Sequence, residues 1–350
     1  MKVLLFNFSF FLSFSLFSIN SSFALQKNKN AETTQTLNIG FFPNLTHPQA
    51  LVAQALTRKG KDWFKNYLPE NICIKWHRFN AGPSAMESLC TGAIDLSYVG
   101  PSPAINLYTR TDGNNVRLLS GAVKGGSGLV LQNNISIKEP KDLNYRKIAT
   151  PQFGNTQDIA CRAWFAEQSI NGTKLLPTSN PDQLLLFKRK QIDGAWTIEP
   201  WLSRLINEGN GKLFFSDDTN WTTLLVGSHA FCEKHPTLKP LIIKAHKELS
   251  IWIKNNLKEA ACLIQEELLQ QTRLKFSTKL IENTLSHLQL EVQVKTDEIQ
   301  KWLKNAIDIN FIKKEKQISL DKFFSEILSK NQENTPQISQ TVPLKNSKTN

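Results

Sequence analysis

The stretch "TPQFGNTQDIACRAW", Thr150 to Trp164, sets a turn-forming Gly154-Asn155 pair between a short apolar run and an amphipathic helix pattern. It reads as a strand-to-helix junction. A helix start carries unpaired N–H groups and a partial positive charge, so such a junction is a natural anion seat. The plainer reading is that Asn155 caps a helix and that Gln157 and Asp158 decorate its first turn. The rest of the chain has to choose between them.

Working outward, the same rhythm recurs. "LNIGFF" (Leu37–Phe42) reads as a strand and leads into "PNLTHPQALVAQAL", where Thr46 and Gln49 form a T-x-x-Q capping box. "ICIKWHRF" alternates as a strand and runs into the helical pattern of "NAGPSAMESLCTGAI". "IDLSYVG" precedes "PSPAINLYTR", with Ser102 as a cap and Pro103 suited to a first helical turn. After the opening junction, "NPDQLLLFKRKQ" starts another helix, and "IDGAWTIEPW" is a short strand entering a further one. Strands alternating with helices across short polar junctions define an α/β class with largely parallel sheets. In such sheets ligands sit outside the carboxyl ends of the strands, where the helix starts gather. "TTLLVGSHAF" reads as one more strand, helix patterns dominate from His235, and residues 331–350 form a polar tail expected to be disordered.

With 350 residues the chain is long enough for two domains. Its start, "MKVLLFNFSFFLSFSLFSINSSFA", reads as a secretory signal cleaved after Ala24, with residues 25–36 as a linker. The expected product is exported and soluble. Five cysteines are too few for a disulfide framework, and Cys73, Cys90 and Cys161 read as buried thiols. There is no CxxC to suggest a zinc site, and no metal or cofactor is assigned. The formal charge of +12 is spread over separated clusters without interleaved aromatics, which argues against nucleic acid and agrees with an anionic small ligand or with solubility.

"NLTHPQAL", "FNAGPSAMESLCTGAIDLSYVGPSPAIN", "IATPQFGNTQDIACRAW", "LFKRKQIDGAWTIEPW" and "HAFCEKHP" stand in the order found in substrate-binding proteins of ABC importers. The chain resembles the branch that binds aliphatic sulfonates, taurine or nitrate, within a broader group similar to proteins that handle thiamine pyrimidine precursors. The resemblance covers roughly residues 37–260, more loosely to 330. It implies the two-lobed periplasmic binding protein fold of type II, with a ligand cleft between α/β lobes joined by two crossing strands. Lobe 1 is then expected over 37–127 and 224–330, and lobe 2 over 128–223. Gly125, Gly126, Gly128 and Gly227 would flank the crossings.

The candidate ligand contacts are Asn44, Ser84, Ser102, Gly154, Asn155, Thr156, Trp196 and Glu199. Each has a plainer role beside it. Asn44 closes a turn or belongs to the first cleft loop that the resemblance implies. Ser84, three residues before Glu87, and Ser102 cap helices, bind ligand, or do both. His47 reads as first-turn decoration. Gly154 would let the backbone approach a ligand, with Asn155 and Thr156 touching it and Gln157 as a neighbour. Trp196 either packs or walls the cleft for an alkyl chain or ring. Glu199 either pairs with a cation such as Arg204 or meets a cationic part of the ligand, while Trp201 packs.

No GxSxG, HExxH or DxDxDG appears, so no catalytic residues are assigned, although biosynthetic enzymes share the fold. The expected function is capture of a small organic anion, with sulfonates or taurine placed first because Trp196 suits an organic tail. Nitrate, bicarbonate or a pyrimidine precursor is the alternative. The expected partners are an ABC permease and its ATPase, with the protein itself a monomer.

Overall fold

The computed structural model describes residues 34–313 and 319–324. The stretch read as a secretory signal, residues 25–33 of the expected linker and the 331–350 stretch lie outside the described residues. Gln35 and Thr36, read as linker, already pair in the first strand.

The chain first lays down β1 (Gln35–Phe41), α1 (Pro48–Arg58), β2 (Ile72–Arg78), α2 (Gly82–Cys90), β3 (Leu96–Val99), α3 (Pro101–Arg110) and β4 (Val116–Lys124). It then crosses to β5 (Ser127–Gln132), β6 (Lys147–Thr150), α4 (Thr156–Glu167), β7 (Lys174–Pro177), α5 (Asn180–Lys188), β8 (Gly194–Ile198), α6 (Trp201–Asn207) and β9 (Gly211–Asp217). It returns through β10 (Trp221–Ser228) to α7 (His229–Lys234), α8 (Leu238–Asn255), α9 (Leu257–Thr272), α10 (Thr278–His287) and α11 (Thr296–Asp308).

Two five-stranded sheets result among the described residues, ordered β2-β1-β3-β10-β4 and β7-β6-β8-β5-β9. The plan of each is the same. β1 pairs in parallel with β2 and β3, and β6 with β7 and β8. The strands next to the crossings, β10 and β5, pair antiparallel with their neighbours. This is the two-lobed periplasmic binding protein architecture. Trp221–Thr223, expected in lobe 2, instead belong to β10 of the first sheet.

Gly125 and Gly126 make the first crossing with φ of 78° and 72°, a left-handed backbone that favours glycine. Gly128 and Gly227 do not flank the crossings: they sit inside β5 and β10. The second crossing is the 218–220 turn. Gln289 braces both crossings. It exchanges backbone hydrogen bonds with Lys124 (2.9 and 3.1 Å), and its Nε2 donates to the Asp218 carbonyl (3.0 Å). The Lys124 ammonium completes the brace with ion pairs to Glu291 (2.8 Å) and Glu298 (2.6 Å) beside the Trp221 ring. Beyond it, α11 packs on α3 of one lobe and α4 of the other, and Phe311 closes over Gly154. α11, assigned to lobe 1 from sequence, therefore touches both lobes.

The largest core lies between the first sheet and helices α1, α8, α9 and α10. Within it His246 is fully buried. Its Nε2–H donates to the Gly121 carbonyl (2.8 Å), which leaves Nδ1 to accept from the Tyr98 hydroxyl (3.0 Å). Cys161 is buried as expected, whereas Cys73 and Cys90 are exposed. No helix among the described residues is long and apolar enough to cross a membrane.

Candidate functional site

Parallel strands end at one edge of each sheet, and in this fold the two edges face each other. The cleft between them is lined by Phe42 after β1, Asn80 after β2, Gly100 after β3, Pro151 after β6 and Ile198 of β8. Five helix starts converge there: His47 at α1, Ala81 and Gly82 at α2, Gly100 at α3, Asn155 to Gln157 at α4, and Asn180 at α5. Only α4 among them is closed by a capping side chain, Asn155 Oδ1 accepting from the Asp158 N–H (2.8 Å). The other four starts have no side-chain cap, and each carries proline in its first turn (Pro48, Pro83, Pro101 with Pro103, and Pro181), so the helix dipoles and the N–H groups of the non-proline first-turn residues remain directed at the cleft.

No Asp, Glu, Lys or Arg lines the cleft among the described residues. Its one ionisable side chain is His47, which is 1 % exposed and accepts from the Phe42 N–H through Nδ1 (3.3 Å). A backbone N–H can only donate, so the ring is neutral with its proton on Nε2. Burial agrees, holding the pKa down at about 3. His47 is thus a neutral donor in the cleft wall rather than first-turn decoration.

The α4 loop is shaped by Asp158, which is wholly buried and accepts from Thr150 Oγ1 (2.8 Å), Gly154 N (3.0 Å) and Arg162 Nε (2.9 Å). These bonds hold Gly154 at φ 75° and present Asn155 and Thr156 to the other lobe. Thr156 Oγ1 is buried without a hydrogen-bond partner, an atypical state for a hydroxyl in a polar cleft. It lies directly across from Gly100. A Cβ added to Gly100 would overlap that hydroxyl and sit 2.8 Å from the Thr156 Cβ. Gly100 has φ of −70°, so it is required for the close approach of the lobes and not for its backbone conformation.

Of the eight expected contacts, Asn44, Asn155 and Thr156 line the cleft. Asn44 Oδ1 accepts from the Thr46 N–H (3.2 Å) and hydroxyl (2.7 Å), which turns the amide's NH2 end outward as the remaining donor. Thr46 and Gln49 form no capping box, because α1 starts at Pro48 and the Gln49 amide donates to Ala122 O and Ser250 Oγ. Gly154 and Ser102 do not line the cleft; the Ser102 hydroxyl donates to the Gly154 carbonyl across the lobes (3.3 Å). Ser102 is no cap: Gly100 precedes α3, and the serine falls inside its first turn.

Three expectations are corrected. Ser84 is exposed and donates to the Ala81 carbonyl. Trp196 is 1 % exposed and outside the cleft, its Nε1 donating to Ser127 Oγ (3.2 Å) within the rings of Trp164 and Phe215. β8 is buried on both faces, so strand alternation could not reveal which face Trp196 takes. Glu199 is also outside, its carboxylate accepting from Ser203 N (3.2 Å) and Oγ (2.8 Å). Phe42, Pro103, Pro151 and Ile198 form the apolar wall that Trp196 was expected to provide. The enclosed free volume is about 30 Å³, the space of roughly two waters.

A two-lobed binding-protein fold with an uncharged cleft of converging helix starts defines a solute-binding class. The chain belongs to the NMT1-like family, whose model matches residues 30–265. Among curated proteins it is 26 % identical to a putative aliphatic sulfonates-binding protein of Bacillus subtilis strain 168, over 75 % of this chain and 79 % of that one. It is 24 % identical to the taurine-binding periplasmic protein of Escherichia coli K12, over 60 % and 65 % respectively. The periplasmic nitrate-binding protein of Synechocystis PCC 6803 superposes with a TM-score of 0.70 at 15 % identity, covering 86 % of this chain and 88 % of its own, which shows a shared fold.

Proposed function

We propose that the protein is the solute-binding component of an ABC importer: it captures a small organic anion, foremost an aliphatic sulfonate, and delivers it to a membrane permease. The observation that carries this reading is the convergence of helix starts from both lobes on a cleft without charged side chains. N–H groups, amides and hydroxyls placed this way stabilise a bare oxyanion without any proton having to move. The ligand's oxygens bridge the lobes, so closure gains contacts that the open form lacks. The apolar wall of Phe42, Pro103, Pro151 and Ile198 suits a short hydrocarbon tail.

Neither of the buried acids behind the cleft wall, Asp158 and Glu199, presents a free carboxylate to the cleft, and the role proposed is binding without chemistry. Export to the periplasm follows from the sequence reading and agrees with the location named for the taurine-binding relative. The small enclosed volume favours nitrate as the second reading.

The test is a thermal-shift panel of alkanesulfonates, nitrate, bicarbonate and aminopyrimidines, followed by calorimetry and recovery of the ligand. A sulfonate at 100 times its Kd should add about 2.7 kcal/mol of stability and be recovered unchanged. Stabilisation by nitrate or a pyrimidine with none by any sulfonate would overturn the reading, and turnover of the ligand would replace it with an enzyme. Thr156→Val makes the site itself testable. Removing an unpartnered buried hydroxyl at constant shape should raise stability by about 1 kcal/mol, while sulfonate affinity falls by about tenfold. Affinity unchanged from wild type would remove Thr156 from the site.

A further inference from the structure

The cleft wall carries information about the whole charge of the ligand, not only about its anionic head. Five helix starts each direct a partial positive charge inward, and among the described residues no carboxylate lines the cleft: the first-turn acids Asp158 of α4 and Asp182 of α5 stand outside the lining, the latter accepting from the Ser179 hydroxyl. His47, the one ionisable group in the wall, has Nδ1 occupied by the Phe42 N–H, so it offers the cleft an N–H and no lone pair.

The acids just behind the wall are committed elsewhere. Asp158 is saturated by Thr150, Gly154 and Arg162. Glu199 is turned to Ser203 on α6. The lining amides are partly committed too: Asn44 Oδ1 serves Thr46, and Asn180 Oδ1 accepts from Thr197 Oγ1 (3.2 Å). The orphaned Thr156 hydroxyl, buried where these helix starts meet, can satisfy an anionic oxygen. An ammonium drawn in with the head would lose its water and find positive helix ends in place of a carboxylate. Burial of an unpaired charge is among the costliest things a site can do.

We infer that this cleft selects sulfonates whose tail is uncharged and discriminates against zwitterionic aminosulfonates, because its wall offers an oxyanion seat and hydrocarbon but no counter-charge for an ammonium. The inference rests on the sulfonate reading above and refines it to a substrate class. The discrimination lies in the wall as a whole, so taurine's head group is accepted while its other end is refused.

Three probes separate the causes. 1-Propanesulfonate replaces the ammonium of taurine with a methyl of nearly the same shape, and isethionate replaces it with a neutral hydroxyl. By calorimetry on the full mature chain at pH 7, both neutral-tailed probes are expected to bind at least about tenfold more tightly than taurine. Taurine binding as tightly as either would overturn the inference; if isethionate alone matched taurine, the preference would be hydrophobic rather than electrostatic. If none of the three bound, while nitrate or a pyrimidine did, the sulfonate reading would fail and take the inference with it.

Discussion

Gly100→Ala is expected to reduce sulfonate binding by at least a hundredfold while leaving the fold unchanged. The backbone at Gly100 is ordinary extended geometry, which alanine adopts without strain, and each lobe has its own sheet. The added methyl would overlap the Thr156 hydroxyl of the other lobe, while within its own lobe its nearest approach is 3.3 Å to the Thr222 carbonyl, so the main clash falls where the lobes meet. Parting the lobes forfeits the contacts one of them makes to the ligand. With charge-assisted hydrogen bonds contributing about 1.5–3 kcal/mol each, the loss of two comes to about 3–6 kcal/mol. Circular dichroism and thermal unfolding without ligand should match the wild type, and calorimetry should show the loss. Wild-type affinity in a folded Gly100→Ala protein would mean that ligand binding does not require this approach.

The second large effect concerns acid. His47 and His246 are buried in neutral form, and desolvation holds their pKa values at about 3 and about 4 against an unperturbed 6.5. The unfolded chain therefore binds protons that the folded chain refuses throughout that interval. Stability is fully retained above about pH 6.5 and falls as the pH drops toward the folded values. From pH 7 to pH 5 the two histidines together should remove about 4 kcal/mol, a large part of an ordinary domain's stability. Glu199 and Asp217 are shifted upward by burial and act in the opposite sense as they gain protons, so the histidine contribution is read as the difference between the wild type and a histidine variant at each pH. Denaturant unfolding at a series of pH values measures it. In His246→Gln, where an amide can accept from Tyr98 and donate to Gly121, the decline should be about half as steep. An unchanged slope in that variant would assign the acid sensitivity elsewhere.

The alternation of strands and helices was legible because each junction carries its own punctuation: polar residues, then proline, then apolar residues at helical spacing. That sufficed for the two lobes and for Asn155, whose capping is a local event. Local chemistry did not reveal direction. Ser102 and Thr46 look like caps in sequence, yet the Ser102 hydroxyl is turned to the loop before α4 and the Thr46 hydroxyl to Asn44 in its own loop, because the helices begin one or two residues from the expected place. β7 and β9 went unread; β9 carries two phenylalanines among charged and polar residues and shows no clear alternation. The role of Gly100 depends on a threonine 56 positions later, which no spacing rule reports. His47 had one usable signal: a proline directly after it marks the first helical turn and leaves the histidine at its mouth.

The uncharged wall also divides the labour of binding in time. Short-range contacts to dipoles and hydroxyls, shielded from bulk electrolyte, govern how long an anion stays once enclosed. The formal +12 of the chain acts instead at a distance, drawing anions inward before any contact forms. Added salt shortens the reach of that attraction to about 8 Å at physiological ionic strength and leaves the enclosed contacts nearly untouched. Encounter frequency and residence time can therefore be altered independently of each other, by changes on the outer surface and in the cleft wall respectively.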